Sequence, residues 1–407
     1  VIAIKDVICY KDHVVTAASA ILKNFTSLYT ATALQYLLDE DAIIIGRCNC
    51  DEFAMGSSNE NSAYGAVKNA ADETRVPGGS SGGSAVAVQA NMCMLSLGTD
   101  TGGSVRQPAD FCGIIGLKPG YGSISRYGLI AYASSFDQIG IFGKNTDDVR
   151  LLWEIMSQPD ERDSTMHQRT RVKRNETVEK KKYKLATFSQ AIQHKGLDKE
   201  IANTFITTIN SLKANDFITD ELALELFDYI VPAYYVLTTA EASSNLSRYD
   251  GIRYGYNAGE ETDLEHFYCK NRSEGFGLEV KRRIMLGTFV LSTGYYDAYF
   301  AKAQQIRRLL VDKMEKIFDE YDAIIMPVSP STAFKLGEKN DPVTTYLADI
   351  YTVLANLCGL SAIAIPLFSH SNNMPFGLQV MAKSGDEVTL LEISEMLMQQ
   401  SITAEVA

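Results

Sequence analysis

Between Pro77 and Pro108 the chain gathers hydroxyls and glycines at close spacing. It runs Pro77-Gly78-Gly79-Ser80-Ser81-Gly82-Gly83-Ser84 and, after a short apolar stretch, Gly98-Thr99-Asp100-Thr101-Gly102-Gly103-Ser104-Val105-Arg106-Gln107-Pro108. Glycines at such places permit backbone angles closed to other residues. They also leave N–H groups exposed, which suits an oxyanion that develops during acyl transfer. Asp100 and Arg106 flank the second cluster and are expected to pair and hold its loop.

Three chemistries compete for these residues. Glycine-rich loops ahead of helices cradle phosphates, but neither cluster has the G-x-x-x-x-G-K-[ST] or G-x-G-x-x-G spacing that nucleotide binding uses. Gly79-x-Ser81-x-Gly83 formally matches the G-x-S-x-G nucleophile elbow, which needs a histidine base. The five histidines are His13, His167, His194, His266 and His370. None has an acid-oriented setting legible in the sequence, and His370 reads as part of a turn. The third chemistry is a serine amidase with a lysine base. Its base would be Lys5, which closes the apolar run Val1-Ile2-Ala3-Ile4. Lysine is rarely buried unless paired, although a strand-end lysine can also extend its stem to reach water.

The stretch from Ile4 to Pro108 resembles the amidase signature family, hydrolases that share a Ser–cis-Ser–Lys triad. The resemblance implies Ser104 as nucleophile, Ser80 as the bridging serine after a cis peptide, and Lys5 as the base. It also implies an oxyanion hole from the backbone N–H groups of Thr101, Gly102, Gly103 and Ser104. For Lys5 to work near pH 7, its pKa must fall from about 10.4 by roughly three units, or about 4 kcal/mol. Burial can supply a shift of that size.

Within the family, further segments resemble the amidase subunits of tRNA-dependent amidotransferases. They are Asp51–Ser58, Asn245–Tyr256, Arg282–Thr288 and Ser292–Tyr299. This resemblance implies glutamine as substrate, with Arg283 pairing its α-carboxylate, Asp349 its ammonium, and Tyr234 lining the pocket. It implies two partners in a heterotrimer, one an ATP-using, tRNA-binding subunit, the other a small subunit. ATP and Mg²⁺ would belong to the tRNA-binding partner, leaving this chain with no cofactor and no metal. The acceptor would be Glu-tRNA(Gln) or Asp-tRNA(Asn). A stand-alone amidase for another small or aliphatic amide is the alternative, with a catalytically idle scaffold as a third possibility.

These residues must be positioned by α/β elements, since strand-like and helix-like runs alternate for most of the length. The expected strands are Val1–Ile4, a second buried strand at Ala42–Ile45, then Met94–Leu97, Ile114–Lys118, Leu185–Phe188, Ala323–Met326, Ala362–Pro366 and Leu378–Ala382. The expected helices include Thr32–Leu38, Ser84–Gln89, Asp147–Met156 with its N-cap at Asn145 or Thr146, Lys199–Asn215, Tyr296–Asp319 and Glu387–Gln399. Asn49–Pro77 reads as a long loop. With the resemblance, this becomes one amidase domain over 1–407, a large mixed β-sheet flanked by helices on both faces. A helix-rich portion spans 199–321. The family's helical segment before the Lys5 strand is expected upstream of Val1.

Residues 157–184 dissolve into charge, from Asp160 to Lys182, and read as a solvated linker or, less simply, a docking strip. Composition narrows the classes. The chain has 407 residues, 46% hydrophobic, with 38 basic against 50 acidic side chains and a net charge of −12. That surface suits nucleic acid poorly as a direct partner. No apolar run approaches the roughly 18 residues of a membrane span. Seven scattered cysteines fit free thiols in a reducing, cytoplasmic compartment. Cys48-x-Cys50 reads as two incidental thiols at a strand end.

Overall fold

A computed structural model of the chain describes residues 1–166, 182–213, 217–259, 263–338, 346 and 348–405. Its strands are β1 (Ile2–Lys5), β2 (Ile44–Cys48), β3 (Leu95–Asp100), β4 (Ile115–Lys118), β5 (Gln138–Gly143), β6 (Tyr183–Phe188), β7 (Phe217–Leu222), β8 (Ala323–Pro327), β9 (Ser361–Ser369) and β10 (Pro375–Ala382). They form one mixed sheet in the order β2-β1-β3-β5-β4-β9-β10-β8-β6-β7. The β2-β1-β3 and β8-β6-β7 ends are parallel, and the middle pairs are antiparallel.

Side chains alternate faces along a strand, and here the alternation sorts two cores. Ile2, Ile4, Leu95, Leu97, Ile139, Ile141, Ile363 and Ile365 join the larger core. That core also takes in α1 (Thr32–Asp39), α4 (Thr146–Met156) and the closing helix Glu387–Glu405. The intervening residues Ala3, Phe142 and Ala364 pack instead with α2 (Gly82–Gln89) and α3 (Arg106–Cys112). Helices therefore cover both faces. Parity also aims Lys5, two residues after Ala3, at the face where α2 and α3 begin. Asn145 caps α4 by accepting the Asp148 N–H at 2.8 Å.

The structure departs from the sequence expectations at four places. The strand expected at Ala42–Ile45 is Ile44–Cys48 and is not buried; among the described residues it pairs only with β1 at the sheet edge, leaving Ile43 and Ile45 exposed. Strand β5 escapes a periodicity reading because glycines interrupt its apolar pattern. Strand β7 lies inside the portion expected to be helical, where it pairs with β6. Helix α3 is hidden by Pro108 and by the motif that contains it.

The charged stretch 157–184 is not a free linker throughout. Asp160 accepts from Ser125 Oγ at 2.7 Å and Asp163 from the Arg126 N–H at 2.9 Å, so its start is tied to the body. Its end enters β6. The basic positions Arg169, Arg171, Lys173, Arg174, Lys180 and Lys181 lie outside the described residues. Among the described residues, no helix is long and apolar enough to cross a membrane.

Candidate active site

Strands β1 and β3 run in parallel with Ile4 opposite Leu97, so their C-terminal ends bring Lys5 beside Thr99. The loop into α2 arrives from the other side. The Gly79–Ser80 peptide is cis. Lys5 Nζ donates to Ser80 Oγ at 2.7 Å, Ser81 Oγ at 2.9 Å and Thr99 Oγ1 at 2.8 Å. Its three donors are thus placed on three hydroxyls, and the side chain is fully buried.

Burial pushes the Lys5 ammonium down to about 8, against the pull of Cys50, Asp51, Asp100 and Asp137, which favour the charged form. This falls short of the value near 7 expected from sequence, yet leaves a usable neutral fraction at physiological pH. A base must be unprotonated, so the rate should rise with pH through about 8. Asp51 adds a test. Burial pushes its carboxyl up to about 7, although the Asn61 and Asn59 N–H groups oppose this. It is therefore ionised where Lys5 titrates. Asp51→Asn should move the acid limb of the pH–rate profile to lower pH; an unmoved or raised limb would contradict the assignment of that limb to Lys5.

Ser81, the elbow candidate, is excluded as nucleophile. It is fully buried, and its hydroxyl donates to the Thr99 carbonyl at 3.0 Å, so its proton is committed. The histidines agree. None of those described lines the cleft. His370 does have an acid-oriented setting, 3.3 Å from Asp198, but in a surface turn. Phosphate cradling fails on the same geometry. The N–H groups of Gly79, Ser81 and Gly83 are held by Gln107 Oε1, the Ser104 carbonyl and Asn59 Oδ1.

Ser104 lies in a narrow cleft, lined also by Gly102, Gly103, Gln107, Tyr132, Tyr234, Arg283 and Asp349. The structure makes the Lys5–Ser80 link. It records no hydrogen bond on Ser104 Oγ among the described residues, and the two loops are joined by the Ser81 N–H on the Ser104 carbonyl at 3.2 Å. Catalytic hydrogen bonds commonly tighten only with substrate bound.

The nucleophile loop is held from below. Asp100 takes Arg106 in two bonds, Oδ1 at 2.9 Å and Oδ2 at 3.1 Å, as the sequence suggested. Burial opposes ionisation of Asp100, but Arg106 beside it keeps the carboxyl well below the usual carboxylate range. Asp100 Oδ1 also accepts the Gly103 N–H at 2.8 Å. That is a correction to the expected oxyanion hole: the Gly103 donor is engaged by Asp100, while those of Gly102 and Ser104 meet no acceptor among the described residues. Gly102 must be glycine, since a Cβ there would run into the Tyr234 hydroxyl. Gly103 has φ of 123°, which favours glycine, and packs on Thr352.

The three distant residues named for substrate binding share this cleft. Tyr234 is buried edge-on to Phe136. Arg283 sits among the rings of Tyr132, Tyr235 and Tyr346, its guanidinium carbon 5.4–5.5 Å from each centroid. Its Nε donates to Glu279 at 2.8 Å and its Nη1 to Tyr132 Oη at 2.9 Å. Asp349 is buried, accepting from Ser57 Oγ at 3.1 Å and Tyr235 Oη at 2.5 Å.

Several site residues were not foreseen. Thr99 and Gln107 stand inside the quoted motif but carried no role. Asp137 joins Thr101 Oγ1 at 2.6 Å to the Tyr132 N–H at 2.9 Å, linking the nucleophile loop to the Arg283 cage. Nothing in the sequence marks Tyr132 or Asp137, because their partners are far along the chain.

Comparison with known proteins agrees with this geometry. The family model described as Amidase matches residues 1–391. A Glutamyl-tRNA(Gln) amidotransferase subunit from Chlorobium phaeobacteroides is 49% identical over 404 residues, covering 98% of this chain and 84% of the relative. The Acidobacterium capsulatum protein of that description is 48% identical over 395 residues, covering 96% and 83%. Among solved structures, the corresponding Glutamyl-tRNA(Gln) amidotransferase subunit from Thermotoga maritima superposes with a TM-score of 0.81 at 41% identity, covering 97% of this chain and 81% of that one.

Proposed function

This chain belongs to the amidase family, and from that premise we propose that it is the glutamine-hydrolysing subunit of a tRNA-dependent amidotransferase. One observation carries the choice of glutamine: a buried arginine and a buried carboxylate, Arg283 and Asp349, flank the cleft that holds Ser104. An amino acid with an amide side chain offers matching groups, an α-carboxylate and an α-ammonium.

In this reading Ser104 Oγ attacks the side-chain carbonyl carbon. Its proton passes to Ser80 Oγ, and the Ser80 proton passes to neutral Lys5 Nζ. The oxyanion is met by the Gly102 and Ser104 N–H groups, a donor of this kind being worth about 10²–10³ in rate. Reversal of the relay protonates the departing amine and ammonia leaves. Water then cleaves the seryl ester, giving glutamate and restoring Ser104.

The ammonia would be used by a partner that activates Glu-tRNA(Gln) or Asp-tRNA(Asn), with ATP and Mg²⁺ held there. We assign no phosphate site to the first glycine loop, because the N–H groups of Gly79, Ser81 and Gly83 are already taken. A third, small subunit would complete the assembly. An acidic surface and free thiols support a cytoplasmic setting, with tRNA bound mainly by the partner.

The alternative is an amidase that takes some other small amide. Arg283→Ala separates the two. Charged hydrogen bonds contribute about 1.5–3 kcal/mol, so kcat/KM for glutamine should fall roughly 10- to 150-fold. Hydrolysis of a simple aliphatic amide should stay unchanged. Glu279 keeps Tyr346 at 2.8 Å and Arg282 as partners, which protects the fold. Undiminished glutamine turnover in that variant would sink the glutaminase assignment.

A further inference from the structure

Gln107 is the polar side chain of the cleft that neither the relay nor the two charged sites employ. It occupies the first turn of α3, three residues after Ser104, where its own N–H donates to the Gly103 carbonyl at 2.9 Å. Its Oε1 accepts the Gly79 N–H at 3.0 Å. A backbone N–H can only donate, so this bond fixes which end of the amide is oxygen. Nε2 is thereby left with two hydrogens, and it meets no acceptor among the described residues; the residue is 5% exposed and lines the cleft.

A prop for Gly79 would need only the oxygen. The Nε2 hydrogens stay free for an acceptor that enters the cleft. The tie to Gly79 sets the group between the loop of Ser80 and the loop of Ser104, at the reacting end. There the substrate offers one acceptor, the oxygen of its carboxamide. The Gly103 N–H, one of the expected oxyanion donors, is turned to Asp100 instead.

We infer that Gln107 contacts the substrate: its Nε2 donates to the carboxamide oxygen and follows it into the tetrahedral intermediate. This rests on the amidase reading above. Removing a contact that strengthens as the oxygen becomes anionic should lower kcat and kcat/KM together and leave KM nearly unmoved.

Two variants of the full chain, purified with whatever subunits accompany it, test this alongside Ser104→Ala. Gln107→Glu keeps the acceptor for Gly79 and removes the donor; Gln107→Met removes both. Both should lose about 10²–10³-fold in kcat for glutamine, with KM within about threefold; Gln107→Met, which leaves the buried Gly79 N–H without its acceptor, should also melt lower. If Gln107→Met does not fold, Gln107→Glu decides. The inference fails if a folded variant keeps kcat within about threefold of the parent, or if only KM rises, which would place Nε2 on the α-carboxylate. Should Ser104→Ala retain activity, the amidase reading falls and this contact with it. An inactive Ser104→Ala beside an active Gln107→Glu overturns the contact alone.

Discussion

Ser104→Ala lowers ammonia release from glutamine by about 10⁵–10⁶-fold, the size seen when a serine nucleophile is removed from a preorganised site. The variant should still bind glutamine, because Arg283 and Asp349 are held by their own partners and not by Ser104. Arg283 is fixed by Glu279 and Tyr132, and Asp349 by Ser57 and Tyr235. Glutamine should therefore raise the melting temperature of Ser104→Ala as it does that of the parent. Trapping the parent with glutamine and acid should give a chain heavier by the glutamyl group, absent from the variant. Ser81→Ala provides the contrast. Its hydroxyl supports Thr99 and Lys5, so its loss weakens catalysis without removing the covalent adduct. An adduct that survives Ser104→Ala would return the nucleophile to another serine.

How much of this was legible from residues depends on the distance over which each feature is encoded. The two glycine–serine clusters and the strand ending in Lys5 are local, and they carried the family resemblance that implied the relay before any fold was known. The pairing of Asp100 with Arg106 was also legible, since both flank one loop. Expectations failed where environment decides. Whether β2 is buried depends on its place at the sheet edge, and Ile43 and Ile45 look like core residues until β1 is seen to be its sole neighbour among the described strands. Gly103 was expected to face an oxyanion, but an acid three residues earlier turns back to take its N–H. Arg283 and Asp349 could be named only by resemblance. Locally, Arg283 follows Lys281 and Arg282 and reads as one of a basic run; its burial among three tyrosines comes from segments as distant as Tyr132 and Tyr346. Asp137 and Tyr132 were missed for the same reason.

Lys5→Met should be as damaging as Ser104→Ala, and the double variant no worse than either single one, because residues that act as one unit are not additive. The methionine fills the space of the stem but cannot accept a proton. Ser80 is then left with no base, and acyl-enzyme should not accumulate in a rapid-quench burst. Unfolding would not explain such a loss. The Lys5 pKa is depressed to about 8, against about 10.4 for the free side chain. At 1.36 kcal/mol per unit, holding the protonated form inside the fold costs about 3 kcal/mol. The unfolded chain binds the proton more tightly, so the parent should gain stability as pH rises from about 8 towards 10.4. Below about 8 both states are protonated and the full penalty stands. Lys5→Met removes the group, so at pH 7 it should melt no lower than the parent, and it should lack that rise. Denaturant titrations at pH 7 and pH 10 measure both effects. A variant that melts normally yet hydrolyses glutamine near the parental rate would mean that the base lies elsewhere, with a histidine the first place to look. A variant that is inactive and stable, with a flat pH dependence, identifies the buried amine as the group that takes the proton from Ser80.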